Sequence, residues 1–247
     1  MELNLYRDSI KFCLDTNPEK LDFDDITAID SYFSDDDYPQ RKSNHLDFLP
    51  AKDNTVAISA MNPTITFSDR GKIRYPHQCS GALGLYLAHQ TGCSFLAKNK
   101  NYSSNIAEVI NSIYKERGIV TNLDLRIADS IKPDIVIGTN YGINTNDDAR
   151  YTDLLKIVFA DYGIKNIKID FTTMSGKSFV AKTAKSLSFK LHQENPNLYC
   201  AMISINKKFI PKAFDDDSLE NTRILLKAMK QYIDLLDETN KILKLKP

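Results

Sequence analysis

Thr121–Asp129 reads TNLDLRIAD. With Ile119 and Val120 in front of it, the run IVTNLDL lacks the strict apolar–polar alternation of a half-solvated strand, and this is the pattern of a strand covered on both faces. It closes in polar residues. Two other segments have the same form: VAISAMNPT (Val56–Thr64) and CAMISINKK (Cys200–Lys208). A further run, DIVIG (134–138), follows the break at Lys132-Pro133. In an open α/β sheet, ligands bind where such strands end.

Between these runs the hydrophobic period changes from strand to helix. Ser80–Gln90 is helical and stops at Thr91-Gly92. Ser104–Arg117 carries Ile106, Val109, Ile110 and Ile113 at helical spacing and is closed by Gly118. Thr152–Tyr162 ends at Gly163, Lys177–Gln193 reads as a helix that the MSGKS turn opens, and Ser218–Leu243 reads as a long terminal helix. Shorter strands are expected at Ser94–Ala97 and Ile167–Asp170. Alternation of this kind predicts an α/β fold with a mixed or mostly parallel central sheet flanked by helices on both faces.

Residues 1–54 differ in character and read as an N-terminal extension, acidic and aromatic, ahead of a single α/β domain over 55–247. One short amphipathic helix is expected around Leu5–Leu14. Asp35–Asp37 with Pro39 read as a turn in a solvated acidic loop. Lys+Arg and Asp+Glu balance at 32 each, which gives no long-range pull toward nucleic acid or an anionic membrane. No stretch is apolar enough to span a bilayer, and the N-terminus lacks a signal-peptide pattern, so a cytoplasmic location is expected. The four cysteines form no CxxC pair and read as buried thiols.

From Asn54 to Ile210 the chain resembles the N-formylglutamate amidohydrolase family, whose fold is zinc-carboxypeptidase-like. The scaffold resemblance lies in Gly71–Leu96, including Ser80-Gly81-Ala82-Leu83, and in DIVIGTNYG at 134–142. The resemblance implies zinc and an amide-cleaving site at three strand ends. Each departs from the family pattern. Met61-Asn62 stand where a Pro-His pair with a zinc-binding His is expected. Asp124-Leu125-Arg126-Ile127 stands for Asp-Leu-His-Gly, which puts Arg126 in place of a metal-binding His. Ser204-Ile205-Asn206-Lys207 stands for Glu-Ile-Asn-Arg, which replaces the expected catalytic Glu by Ser204.

A hydrolytic zinc site needs about three N or O ligands, a water and a carboxylate. Asn62 is a poor zinc ligand, and Arg126 is a permanent cation that repels a divalent ion. No catalytic residue, metal ligand or cofactor is therefore assigned. The leading expectation is a diverged, non-catalytic relative that binds a small carboxylate-bearing anion or a protein partner, with Asn62, Arg126, Ser204, Asn206 and Lys207 lining the old site. Arg suits a carboxylate because its planar fork binds it in bidentate fashion. Equally open is that Arg126 pairs with Asp124 or Asp129 to satisfy a relic cavity.

Two alternatives stand beside this. One is an active amidohydrolase acting on a small N-acyl amino acid through a rebuilt site, for which His77 and Cys79, with Cys93 downstream, are the only soft ligands in one region. The other is a scaffold or complex subunit. His89 and His192 fall on expected helices away from the strand ends. Met174–Ser178 lacks the first Gly of a phosphate loop, and no GxSxG elbow is present.

Overall fold

The computed structural model describes residues 8–34, 46–61, 66–67, 73–74, 79–98, 106–129, 131–183 and 186–244. In chain order the elements are α1 (Asp8–Asp15), α2 (Phe23–Ser34), β1 (Leu46–Leu49), β2 (Val56–Met61), β3 (Thr66–Phe67), β4 (Ile73–Arg74), α3 (Ser80–Thr91), β5 (Ser94–Lys98), α4 (Ile106–Arg117), β6 (Thr121–Ala128), β7 (Ile135–Gly138), α5 (Arg150–Asp161), β8 (Ile167–Ile169), α6 (Leu187–Glu194), β9 (Tyr199–Asn206) and α7 (Asp216–Lys244).

Seven strands form one sheet in the order β1-β5-β2-β6-β9-β7-β8, and β3 pairs with β4 apart from it. The four central strands β5, β2, β6 and β9 are parallel, β1 and β7 run against their neighbours, and β8 is parallel to β7. The expected α/β architecture is thus present, with β6 at the centre and seven of its eight residues buried. From β2 the chain turns outward through α3 to β5, then returns past β2 through α4 to β6. That reversal opens a crevice at the carboxyl ends of β2 and β6.

One face of the sheet presents Ile58, Leu123, Leu125, Ile203 and Ile205 to α1, α2, α3 and α7. The other presents Ala57, Leu96 and Cys200 to α4 and α6. The 79–98 segment packs closely: a Cβ on Gly84 of α3 would meet the Phe95 ring at 2.7 Å. At the far end of α4, Gly118 takes φ 68°, which lets Ile119 N–H reach back to Tyr114 C=O at 2.9 Å.

Two expectations need correction. Residues 1–54 do more than precede the fold. Ile26, Ile29 and Phe33 of α2 are buried in the same core as β2, and β1 pairs with β5 along the sheet edge. The acidic residues there start a helix: Asp22 accepts from the Asp25 N–H at 2.8 Å and Asp25 from the Asp22 N–H at 3.2 Å, a reciprocal cap. The turn expected at Asp35–Asp37 lies outside the described residues.

The helix expected over Lys177–Gln193 is shorter, and MSGKS does not open it. Gly176 sits at φ 81° in a turn where Thr173 exchanges bonds with Lys177, and Thr172 bridges Ser178 as an antiparallel pair. Phe179 and Ala181, the latter at φ 57° after a bend at Val180, join a third apolar cluster with Val136 and Met202, so tertiary burial overrides helical spacing there.

Distant parts of the chain meet across the first face. Arg223 Nε of α7 donates to Leu21 C=O at 2.8 Å. Asp237 accepts from both the N–H and the hydroxyl of Thr55 at 2.7 Å, and Asn240 Nδ2 donates to Thr55 and Thr121 at the starts of β2 and β6. Among the described residues, no helix is long and apolar enough to cross a membrane.

Candidate functional site

Alternation along β6 points Asn122, Asp124 and Arg126 toward the α4 and α6 face. Their register partners are Ala57 and Ser59 on β2 and Cys200, Met202 and Ser204 on β9. The result is a polar stripe inside an otherwise apolar layer. Tyr114 of α4 donates its hydroxyl proton to Asn122 Oδ1 at 2.8 Å, and Asn122 Nδ2 donates to Ser59 Oγ at 3.2 Å. One step toward the crevice, Arg126 Nε and Nη2 both donate to Asp124 Oδ2, at 3.0 and 2.8 Å.

Burial differs sharply within that pair. The Asp124 side chain is fully buried, whereas a quarter of the Arg126 side chain (25%) reaches the surface. Arg126 thus carries charge from the interior to the crevice. Among the described residues, its Nη1 has no acceptor. Beside it in register, the buried Ser204 hydroxyl has no hydrogen-bond partner among the described residues.

Nearby titratable groups hold their protons. Burial first, then the charges of Cys200 and Asp124, push the Tyr114 phenol well above its ordinary range. Burial and Asp124 do the same to the Cys200 thiol. Neither serves as a base or nucleophile near neutral pH.

On the other face of the sheet lies the start of α3. Asp30 of α2 accepts from the Cys79 N–H and thiol, and burial raises its carboxyl to about 6. Cys79 sits at φ 59° directly before the helix, and the buried Ser80 hydroxyl is a further donor without a partner among the described residues.

The other residues singled out in the sequence are placed as follows. Asn206 Nδ2 donates to Ile131 C=O and Pro133 C=O at 2.8 and 3.0 Å, and its Oδ1 accepts from Lys208 N–H at 3.0 Å, so its amide fixes the loop before β7. Lys207 is exposed at the start of a short 3-10 turn. Lys208, which sequence reasoning passed over, pairs with Asp134 at 2.7 Å. Asn62 and His77 lie outside the described residues. Cys79 and Cys93 flank opposite ends of the twelve-residue α3, about 18 Å of helix, and cannot share an ion. His89 pairs with Asp15 at 2.6 Å, and His192 is buried with Nδ1 against Leu198 C=O at 2.8 Å.

Zinc does not fit the donors present. Arg126 stands where the resemblance places a metal-binding His, and its guanidinium occupies Asp124, the carboxylate beside it. Ser204 supplies a neutral hydroxyl in place of a carboxylate. Among the described residues, no three His, Cys, Asp or Glu side chains converge.

No protein-family model matches the chain, and no curated protein sequence matches it. Among solved structures it is similar to the N-formylglutamate amidohydrolase from Ralstonia eutropha JMP134, with a TM-score of 0.53 and 11% identity over 81% of this chain and 99% of that one. The shared property is the fold. Weaker likenesses are to the P. knowlesi homolog of P. falciparum PNP (TM-score 0.41, 8% identity, 75% and 90% covered) and to Campylobacter jejuni 5'-methylthioadenosine/S-adenosyl homocysteine nucleosidase (TM-score 0.37, 10% identity, 73% and 99% covered). Neither bears on the chemistry of this site.

Proposed function

We propose that this chain is a non-catalytic protein of amidohydrolase-like fold that binds a small carboxylate-bearing ligand at the carboxyl ends of β2, β6 and β9. The observation that carries this reading is the anchored guanidinium. Asp124 holds Arg126 by Nε and Nη2, which fixes the plane of the fork and leaves Nη1 without an acceptor among the described residues. An arginine held in this way loses little freedom when it meets a carboxylate. A positive charge in place of a metal ion keeps an anion site while removing the means to activate water.

The test is calorimetric titration with N-acetylglutamate, glutarate and the neutral glutaramide, with and without EDTA. Binding of the acids but not the diamide, unchanged by chelator, is expected. Arg126→Lys keeps the charge and loses the fork, and it is expected to weaken the acids about tenfold. Absence of binding by every acid would overturn the reading, as would chelator-sensitive hydrolysis of N-acetylglutamate.

A further inference from the structure

A second cavity lies at the other end of the sheet, about the length of α3 away from the Arg126 crevice. It has a volume of 320 Å³, within the range of small-ligand pockets. Its walls include Leu14 of α1 and Leu49 of β1, and the buried Cys93 lies among its lining residues. Around these apolar groups stand three basic side chains, Lys11, Lys52 and His89, and among the described residues no carboxylate lines the cavity.

The arrangement is preformed. Gln90 Nε2 of α3 donates to Leu14 C=O at 2.6 Å and Tyr86 donates its hydroxyl proton to Thr16 C=O at 2.7 Å, which pins the end of α1 to α3. Carbonyls at the end of α3 are already engaged. Leu87 C=O accepts from Thr91 Oγ1, Thr91 C=O from Asn54 Nδ2 and Gly92 C=O from Lys52 N–H. His89 is matched by Asp15. Lys11 and Lys52 have no ion-pair partner among the described residues. Asp234 and Asp237, whose charges act on Cys93, are paired with Lys230 and Lys241, and the exposed Asp53 that follows Lys52 forms no ion pair with it among the described residues.

We infer that this cavity binds an amphiphilic anion, an acidic head group on a short hydrocarbon body, with the head between Lys11 and Lys52 and the body against Leu14 and Leu49. A neutral apolar molecule would leave the ammonium groups unused, and a bare inorganic anion would leave the apolar walls against water.

The experiment uses the full chain with 8-anilinonaphthalene-1-sulfonate as reporter and octanoate as competitor. Saturable reporter fluorescence displaced by octanoate, and not by equal octanol, is expected. The charge reversal Lys11→Glu with Lys52→Glu lies on exposed side chains, so an unchanged melting temperature will show that the fold is kept, and it is expected to weaken octanoate about tenfold. Asp124→Asn with Arg126→Gln removes both charges of the crevice pair, separates the two anion sites and is expected to leave octanoate displacement unchanged in protein that still melts cooperatively. Equal displacement by octanol, indifference to the charge reversal, or loss of octanoate binding in that folded double variant would each overturn the inference.

Discussion

Asp124 and Arg126 stand two residues apart on one face of β6, and two nitrogens of the arginine converge on a single oxygen of the aspartate, at 3.0 and 2.8 Å. The aspartate is fully buried and the arginine is not, so the pair is asymmetric in what each member loses when the other is removed. Arg126→Ala leaves a buried carboxylate without its cation and is expected to cost about 3–5 kcal/mol. The double replacement Asp124→Asn with Arg126→Gln removes both charges and should cost less than Arg126→Ala alone. Urea unfolding of both variants checks the order; a double variant weaker than the single one would mean that the charge pair itself stabilises the sheet.

Asp30 gives a pH signature. Its carboxyl is raised to about 6, chiefly by burial. A carboxyl raised in the folded state favours folding fully below its unfolded value near 4, and that contribution is lost as pH rises through about 6. Asp30→Asn mimics the protonated form. The variant is expected to gain stability over the parent at pH 8, by about 2–3 kcal/mol at most, and little at pH 4. Thermal melts of both proteins at the two pH values measure the difference directly, and an equal gain at both would contradict the assignment.

Gly138 ends β7 where the 179–181 segment packs against it. A Cβ there would meet the Phe179 carbonyl oxygen at 2.5 Å and Met202 Cε at 2.9 Å. Backbone cannot yield as a side-chain tip can, so Gly138→Ala is expected to lower stability by about 1–3 kcal/mol. At Gly163, where no atom lies within 4 Å but φ is 79°, Ala would be strained by backbone conformation alone. Comparing the two variants by denaturant midpoint separates steric from conformational cost.

Asp237→Ala removes the acceptor for both the N–H and hydroxyl of Thr55, which is buried. A loss of about 2–4 kcal/mol is expected, with Asp237→Asn costing less because one oxygen remains. Hydrogen exchange at the Thr55 amide would report the same bond locally, with faster exchange expected in both variants.

The sheet was legible in the sequence because strands buried on both faces, such as Ile119–Leu125 and Asp134–Gly138, are apolar beyond what alternation requires, and because Gly92, Gly118 and Gly163 mark where helices stop. The N-terminal helices were less legible. In Phe23–Ser34 three aspartates and two serines break up the apolar pattern, and the i, i+3, i+7 spacing of Ile26, Ile29 and Phe33 carries the helical signal. At 177–183 the helical pattern was real but lost to burial against Met202 and Val136. Arg126 and Ser204 drew notice in the sequence because they replace residues of the amidohydrolase pattern at strand ends, and the structure sets them side by side in register. Lys208 and Asp30 were not, because their roles depend on Asp134 and Cys79, partners far away in sequence.

The bonds from Arg223 to Leu21 and from Asp237 to Thr55 bear on how the protein comes into being. A ribosome releases β2 and both N-terminal helices long before α7, and α7 supplies the partners that Leu21 C=O and Thr55 bond to. Until α7 is made, the core cluster that Ile26, Ile29 and Phe33 share with Leu225, Met229 and Ile233 is incomplete, and its apolar surface stays open to contacts with other chains.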